Sequence, residues 1–195
     1  MKAFRLGQTG VAIRVMILMT VVLGLAYPLL IMGIGQAAFH SQASGSLIYR
    51  DGKLVGSSLI GQDFGTSTKY FWSRPSAAGS GYDPTSSGAS NLSLDNPALI
   101  NAIKQRQTAI AKADGVPISQ VPADAVMASG SGLDPQISPA YAAIQVKRVA
   151  RARQLSVSVV EGLVSQYTQG RTLGFLGEPR VNVLELNLAL DAYHP

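Results

Sequence analysis

The sequence predicts an α+β protein in which a single N-terminal transmembrane helix precedes one mixed α+β soluble domain. Three observations carry that prediction. An uncharged apolar run lies near the start, strand-like alternation flanks an Arg-Asp-Gly turn, and proline-started helices with Ser or Asn caps occupy the second half.

Residues 15–39, "VMILMTVVLGLAYPLLIMGIGQAAF", carry no formal charge. A helix of that length reaches roughly 37 Å, enough to cross a hydrocarbon core of about 30 Å with some tilt. Pro28 is expected to kink this helix without ending it. A cleaved signal peptide is the competing reading, but its apolar stretch is usually about 7–15 residues, which favours an uncleaved anchor. Lys2, Arg5 and Arg14 precede the run, whereas residues 40–47 after it hold no Lys or Arg. The positive-inside rule then predicts residues 1–14 in the cytoplasm, 15–39 in the membrane and 40–195 outside.

The soluble part is read element by element. Residues 45–62 contain two apolar-alternating runs around Arg50-Asp51-Gly52, a hairpin signal. The aromatic cluster Tyr70-Phe71-Trp72 runs through Ser73-Arg74-Pro75 into a Gly-, Ser- and Asn-rich loop over 76–95. Loops of that length are often functional or held by a partner. Asn96 caps a helix with Pro97 at its first position and Leu99, Ile103 and Ile110 as its stripe. A short helix is expected after Pro122, another over 139–154 capped by Ser138, and a third over 156–167. After a turn region at 170–177, "RVNVLELNLAL" reads as a strand that becomes helical near Leu186.

Composition excludes several chemistries. The 195 residues include no cysteine, so disulfides, thiolate zinc sites and a cysteine nucleophile are out. The two histidines, His40 and His194, stand far apart in the chain and offer no metal cluster or Ser-His-Asp arrangement. The formal charge of +5 is partly positional, because three of the cations precede the apolar run. The remainder is close to neutral, too weak a bias for nucleic-acid binding. The basic cluster of Lys147, Arg148, Arg151 and Arg153 also lacks interleaved aromatics. It reads as a solvated face opposite Ala142, Val146, Val149 and Ala150, with Gln145 bordering the apolar stripe.

The stretch from Ser129, Gly130, Ser131 and Gly132 to Asp134 and Pro135 raises the question of a phosphate cradle. A P-loop needs G-x-x-x-x-G-K-[ST], yet no lysine follows Gly132. A dinucleotide fingerprint needs a third glycine where Pro135 stands. Asp134 would repel a phosphate, and turn and cap chemistry is complete at Asp134-Pro135 and Ser138-Pro139. The stretch is therefore read as a turn feeding a capped helix. Arg74 is read as an ion-pair partner or interface anchor. Asn91-Leu92-Ser93 matches a glycosylation acceptor, a weak three-residue pattern.

The ordered set "LVGSSLIGQ", "YFWSRPSA", "YDPTSSGASNL", "NPAL", "VPADAVMASGSGLDPQISPAYAAIQVKRVARAR" and "LGFLGEPRVNVLELNLALD" closely resembles the KdpC family, the C subunits of Kdp-type potassium-transporting P-type ATPases. The resemblance covers nearly the whole chain, including the single span. It implies a non-catalytic subunit of an ATP-driven potassium uptake complex in the bacterial inner membrane. The implied partners are a channel-like potassium-binding subunit, a P-type ATPase subunit and a small hydrophobic subunit. ATP belongs to the complex, and no cofactor is assigned to this chain. In agreement, the D-K-T-G motif that a P-type pump phosphorylates is missing. The family carries two proposals: a catalytic chaperone that raises ATP affinity, with nucleotide contact at the position matching Gln145, or a cap on the outer face of the potassium-binding subunit. The charge flanks favour the second. Candidate interface residues are Tyr70, Phe71, Arg74, Asn91 and the 129–135 loop. Gln136 stands where the family usually has histidine, and Ala89 interrupts a usual glycine pair. The rival reading is a stand-alone anchored extracytoplasmic module that binds a small ligand.

Overall fold

The computed structural model describes residues 2–65 and 67–193. His194 and the side chains of Lys2 and Arg5 lie outside them. The chain divides into two compact units, Met1–Val55 and Gly56–Pro195, and the mixture of helices and small sheets is the expected α+β class.

In the first unit, α1 (Lys2–Val21) passes through a widened π turn (Val22–Ala26) into α2 (Tyr27–Ala38). Helical structure thus starts well before position 15. The stretch Gly7–Ala38 is long and apolar enough to cross a membrane. The π turn falls directly ahead of Pro28, with the Tyr27 N–H donating to the Val22 carbonyl five residues back. Proline cannot donate to a preceding turn, and local π geometry accommodates such interruptions. A short α3 (His40–Ala43) leads to the hairpin of β1 (Leu47–Arg50) and β2 (Lys53–Ser57). Its turn residues Asp51 and Gly52 have φ of 50° and 75°, as a two-residue type I′ connection requires.

In the second unit, the described residues of 58–96 form neither helix nor strand. Next come α4 (Pro97–Asp114), a 3₁₀ turn (Ile118–Gln120), α5 (Ala123–Val126), β3 (Gln136–Ile137), α6 (Pro139–Arg153), α7 (Val157–Gln166), β4 (Thr168–Gln169), β5 (Arg180–Asn182) and α8 (Val183–Ala192). The helix starts follow the expected chemistry. Asn96, Ser138 and Ser156 each accept a hydrogen bond from a first-turn backbone N–H, at 2.9, 3.0 and 3.3 Å.

The three short strands form an antiparallel sheet in the order β3-β5-β4. α6 packs against α7, α4 and β5. Tyr141, Val146 and Val149 from α6 meet Val160 of α7, Val181 of β5, Leu186 and Leu190 of α8, and Phe71 in one buried core.

The start of α8 corrects the sequence reading. The helix begins at Val183, not near Leu186, because Asn182 is its cap: Oδ1 accepts from the Glu185 N–H at 3.2 Å. Its Nδ2 donates to the Ser58 carbonyl at 2.8 Å, so one buried amide starts the helix and secures the irregular segment. Replacing Asn182 by Ala is expected to lower stability by about 1–3 kcal/mol. Chemical denaturation of the full chain in detergent measures the loss.

Candidate functional site

Backbone groups that join no helix or sheet need other partners when they are buried. For residues 67–72, side chains supply them. The Ser67 carbonyl accepts from Trp72 Nε1 at 2.8 Å, and the Lys69 carbonyl from Arg153 Nε at 2.6 Å. Arg148 Nη1 donates to the Thr68 and Tyr70 carbonyls at 3.1 and 3.0 Å. Asn187 takes both sides of Phe71: Oδ1 accepts from its N–H at 2.8 Å, and Nδ2 donates to its carbonyl at 2.9 Å. Gln145 does the same for Trp72, at 2.7 and 3.3 Å. These two amides act as single rungs of an absent strand.

Gln145 is fully buried. Its Oε1 also accepts from Arg148 Nη2 at 2.7 Å, and its Nε2 also donates to the Tyr141 carbonyl at 3.3 Å. Both lone pairs and both amide hydrogens are therefore used inside the domain.

Arg148 departs from the expected solvated basic face, on which Lys147 and Arg151 are exposed. It is buried, its Nε lies 2.7 Å from Asp114 Oδ1, and its guanidinium stacks 3.9 Å above the Trp72 ring centroid. The physical reason is that α6 is flanked on this side by α4 and by the 67–72 segment. Asp114 Oδ2 has no hydrogen-bond partner among the described residues. Burial pushes the Asp114 carboxyl above its ordinary value, against the opposing pull of Arg148. Nearby, Arg153 Nη2 reaches Asp191 Oδ1 at 2.7 Å, while the Tyr70 hydroxyl donates to Asp191 Oδ2 at 3.2 Å.

A second set of bonds clasps the 129–135 loop to residues 74–88. The Ser131 carbonyl accepts from the Gly88 N–H and from Ser87 Oγ, each at 2.9 Å. Ser76 Oγ donates to the Gly132 carbonyl at 2.6 Å and accepts from the Tyr82 N–H at 2.8 Å. Arg74 Nη1 pairs with Asp134 Oδ2 at 2.9 Å, so Arg74 has the ion-pair role. The Tyr82 hydroxyl donates to the Arg74 carbonyl, and burial pushes its pKa up to about 12. The Pro135 carbonyl accepts from the Val183 N–H at 2.9 Å. Ser129 is buried, with Oγ 3.5 Å from Ser131 Oγ, while Asn91 is exposed at φ 51°.

The helix start after this loop is already occupied. Ser138 Oγ caps α6, and Asp124 accepts from both the Ser138 N–H and its hydroxyl, at 2.7 and 2.9 Å. A carboxylate thus holds the place where an anion would sit. Two cavities adjoin the clasp: about 310 Å³ lined by Asp63, Arg74, Tyr82, Arg106 and Tyr141, and about 580 Å³ lined by Leu59, Ser87, Ser129 and Asp134. Among the described residues no group of three or more His, Asp or Glu is placed to hold a metal. The described histidine, His40, bonds Gln36 at 3.0 Å.

Sequence reading missed Asp114, Arg148, Asn187 and Asp191 as parts of one network. Its best signal was Gln145 and Arg148 one turn apart beside the α6 apolar stripe. It also passed over Leu173, Phe175 and Leu176, whose signal is large apolar residues inside a glycine-rich turn.

The clasp makes a paired prediction. Gly132 has φ of 68°, and a Cβ there would stand 2.6 Å from the Ala78 nitrogen and 2.7 Å from the Gly88 carbonyl oxygen. Gly130 has open space around its missing Cβ. Gly132→Ala is expected to cost about 1–3 kcal/mol or more, since left-handed strain adds to the collision. Gly130→Ala should change stability by no more than about 0.5 kcal/mol. Parallel denaturation curves check both.

Comparison with known proteins agrees with the motif resemblance. The family model described as KdpC, K+-transporting ATPase, c chain, matches residues 9–192. The potassium-transporting ATPase KdpC subunit of Methylococcus capsulatus is 56% identical over 182 residues, covering 93% of this chain and 95% of the relative. That of Paraburkholderia phytofirmans is 55% identical over 175 residues, covering 89% and 90%. That of Mycobacterium bovis is 50% identical over 181 residues, covering 92% and 95%. With its span, its α+β domain and these relatives together, the chain belongs to the KdpC family, the c chains of K+-transporting ATPases.

Proposed function

We propose that this chain is the non-catalytic, single-span accessory subunit of an ATP-driven potassium uptake complex in the bacterial inner membrane. It assembles with and stabilises the potassium-binding, ATP-hydrolysing and small hydrophobic subunits. Residues 1–14 lie in the cytoplasm, 15–39 cross the membrane and 40–195 stand outside. The observation that carries this reading is the internal use of the polar groups. Gln145 is buried with both amide ends saturated, and the 129–135 loop is bonded to residues 74–88. Such groups brace a domain; they are not held ready for a nucleotide. A rise in the ATP affinity of the hydrolysing subunit is then an effect transmitted through assembly, with no contact between Gln145 and ATP.

The orientation rests on Lys2, Arg5 and Arg14 ahead of the apolar run and on the lack of Lys or Arg over 40–47. The chain has no cysteine, so Ser90→Cys, at an exposed position, introduces its only thiol. In sealed cells expressing the whole complex, a membrane-impermeant maleimide should label it from outside. Labelling that requires opening of the membrane reverses the orientation and restores nucleotide contact to consideration.

A second test concerns Gln145 directly. Gln145→Leu strands the Trp72 backbone groups and one Arg148 nitrogen, so the full chain should lose about 2 kcal/mol or more of stability. The KM for ATP of complexes that retain the variant subunit at full occupancy should match the wild type. A raised KM at full occupancy, with an unchanged melting temperature, overturns the bracing role.

A further inference from the structure

A cluster of exposed apolar side chains in the second unit lies in the turn between β4 and β5. Leu173, Phe175 and Leu176 are 79%, 68% and 49% exposed, within an unbroken exposed stretch over 169–179. The turn is nevertheless stiff. Thr172 and Leu176 form a bridge with reciprocal N–H to carbonyl bonds of 2.9 Å, and the Gly174 and Phe175 N–H groups donate to the Arg171 and Thr172 carbonyls at 3.1 and 3.3 Å. Leu173, Gly174 and Gly177 all have positive φ, of 55°, 82° and 75°. Leucine rarely adopts that conformation, and here it aims an apolar side chain away from the domain. At the base of the turn, Arg171 Nη2 contacts both oxygens of Glu178, at 3.0 and 2.8 Å.

We propose that this tip is the principal anchor by which the domain docks into an apolar concavity on another subunit of its complex. The inference rests on the assembly reading above. Exposed leucine and phenylalanine side chains on a preorganised turn lose little freedom when they bind, so little of the energy of their burial is offset by ordering. The base of the turn argues against a lipid surface as the occupant. Membrane-surface segments combine apolar residues with free cations that meet lipid phosphates. Here Arg171 is spent on Glu178, whose side chain is 79% exposed and would face the same anionic headgroups. A protein concavity with an uncharged floor, and a polar rim around the Arg171–Glu178 pair, meets both requirements.

The test uses the full chain co-expressed with its complex. Phe175→Ser should lower the affinity of the chain for the remaining subunits on the order of thirtyfold, while Phe175→Leu retains most of it. The melting temperature of the solubilised chain should stay unchanged in both. Photoreactive p-benzoylphenylalanine placed at position 175 in membranes should cross-link to an apolar segment of another subunit, identified by peptide mass. Equal retention of Phe175→Ser overturns the anchor and leaves the assembly reading intact. So does cross-linking only to lipid or to a second copy of this chain. Failure of the wild-type chain itself to co-purify overturns both.

Discussion

The guanidinium of Arg148 is the interaction on which the soluble domain is organised. It meets the end of α4 through Asp114, the body of α6 through Gln145 and the irregular 67–72 segment through three carbonyls and the Trp72 ring. A buried ion pair alone is a poor source of stability, because desolvation of both charges offsets their attraction. In this site the attraction is joined by hydrogen bonds to groups that would otherwise be orphaned. The value of the arrangement lies in specification: one rotamer of one side chain satisfies three neighbours, and few alternative packings do so.

That constraint accounts for the rest of the architecture. A domain whose strands are two or three residues long has little sheet in which to place its backbone. Side-chain amides therefore do the work of strands, with Gln145 and Asn187 each pairing one residue of the 67–72 segment and Asn182 holding Ser58. The 74–88 segment continues the same solution through serine hydroxyls and the Arg74–Asp134 pair. The irregular 67–88 stretch is thus an ordered layer fastened to the rest of the domain by polar side chains.

Local chemistry was legible in the sequence wherever it acts over a few residues. The Asn96, Ser138 and Ser156 caps, the Asp51-Gly52 turn and the apolar span all depend on neighbours within one or two turns. The apolar alternation of "RVNVLEL" is local as well, and it hid the Asn182 cap that starts α8. The site was harder. Arg148 sits in a run of cations that resembles a solvent face, and the partner that buries it, Asp114, lies 34 positions away in the chain. Periodicity along one helix cannot report what packs against it from elsewhere. The 173–176 tip escaped for the opposite reason: its residues satisfy nothing inside the domain, so no folding pattern points to them.

The π turn ahead of Pro28 has a consequence for the span itself. One extra residue in a single turn advances every later side chain by roughly 100° about the axis. A stripe followed along α1 therefore does not continue at its straight-helix spacing along α2; it is handed to a neighbouring azimuth. A straight helix of this length would show one seam to its surroundings. This one shows two, so the two halves of the span have different sides available for contact with neighbouring helices and lipid.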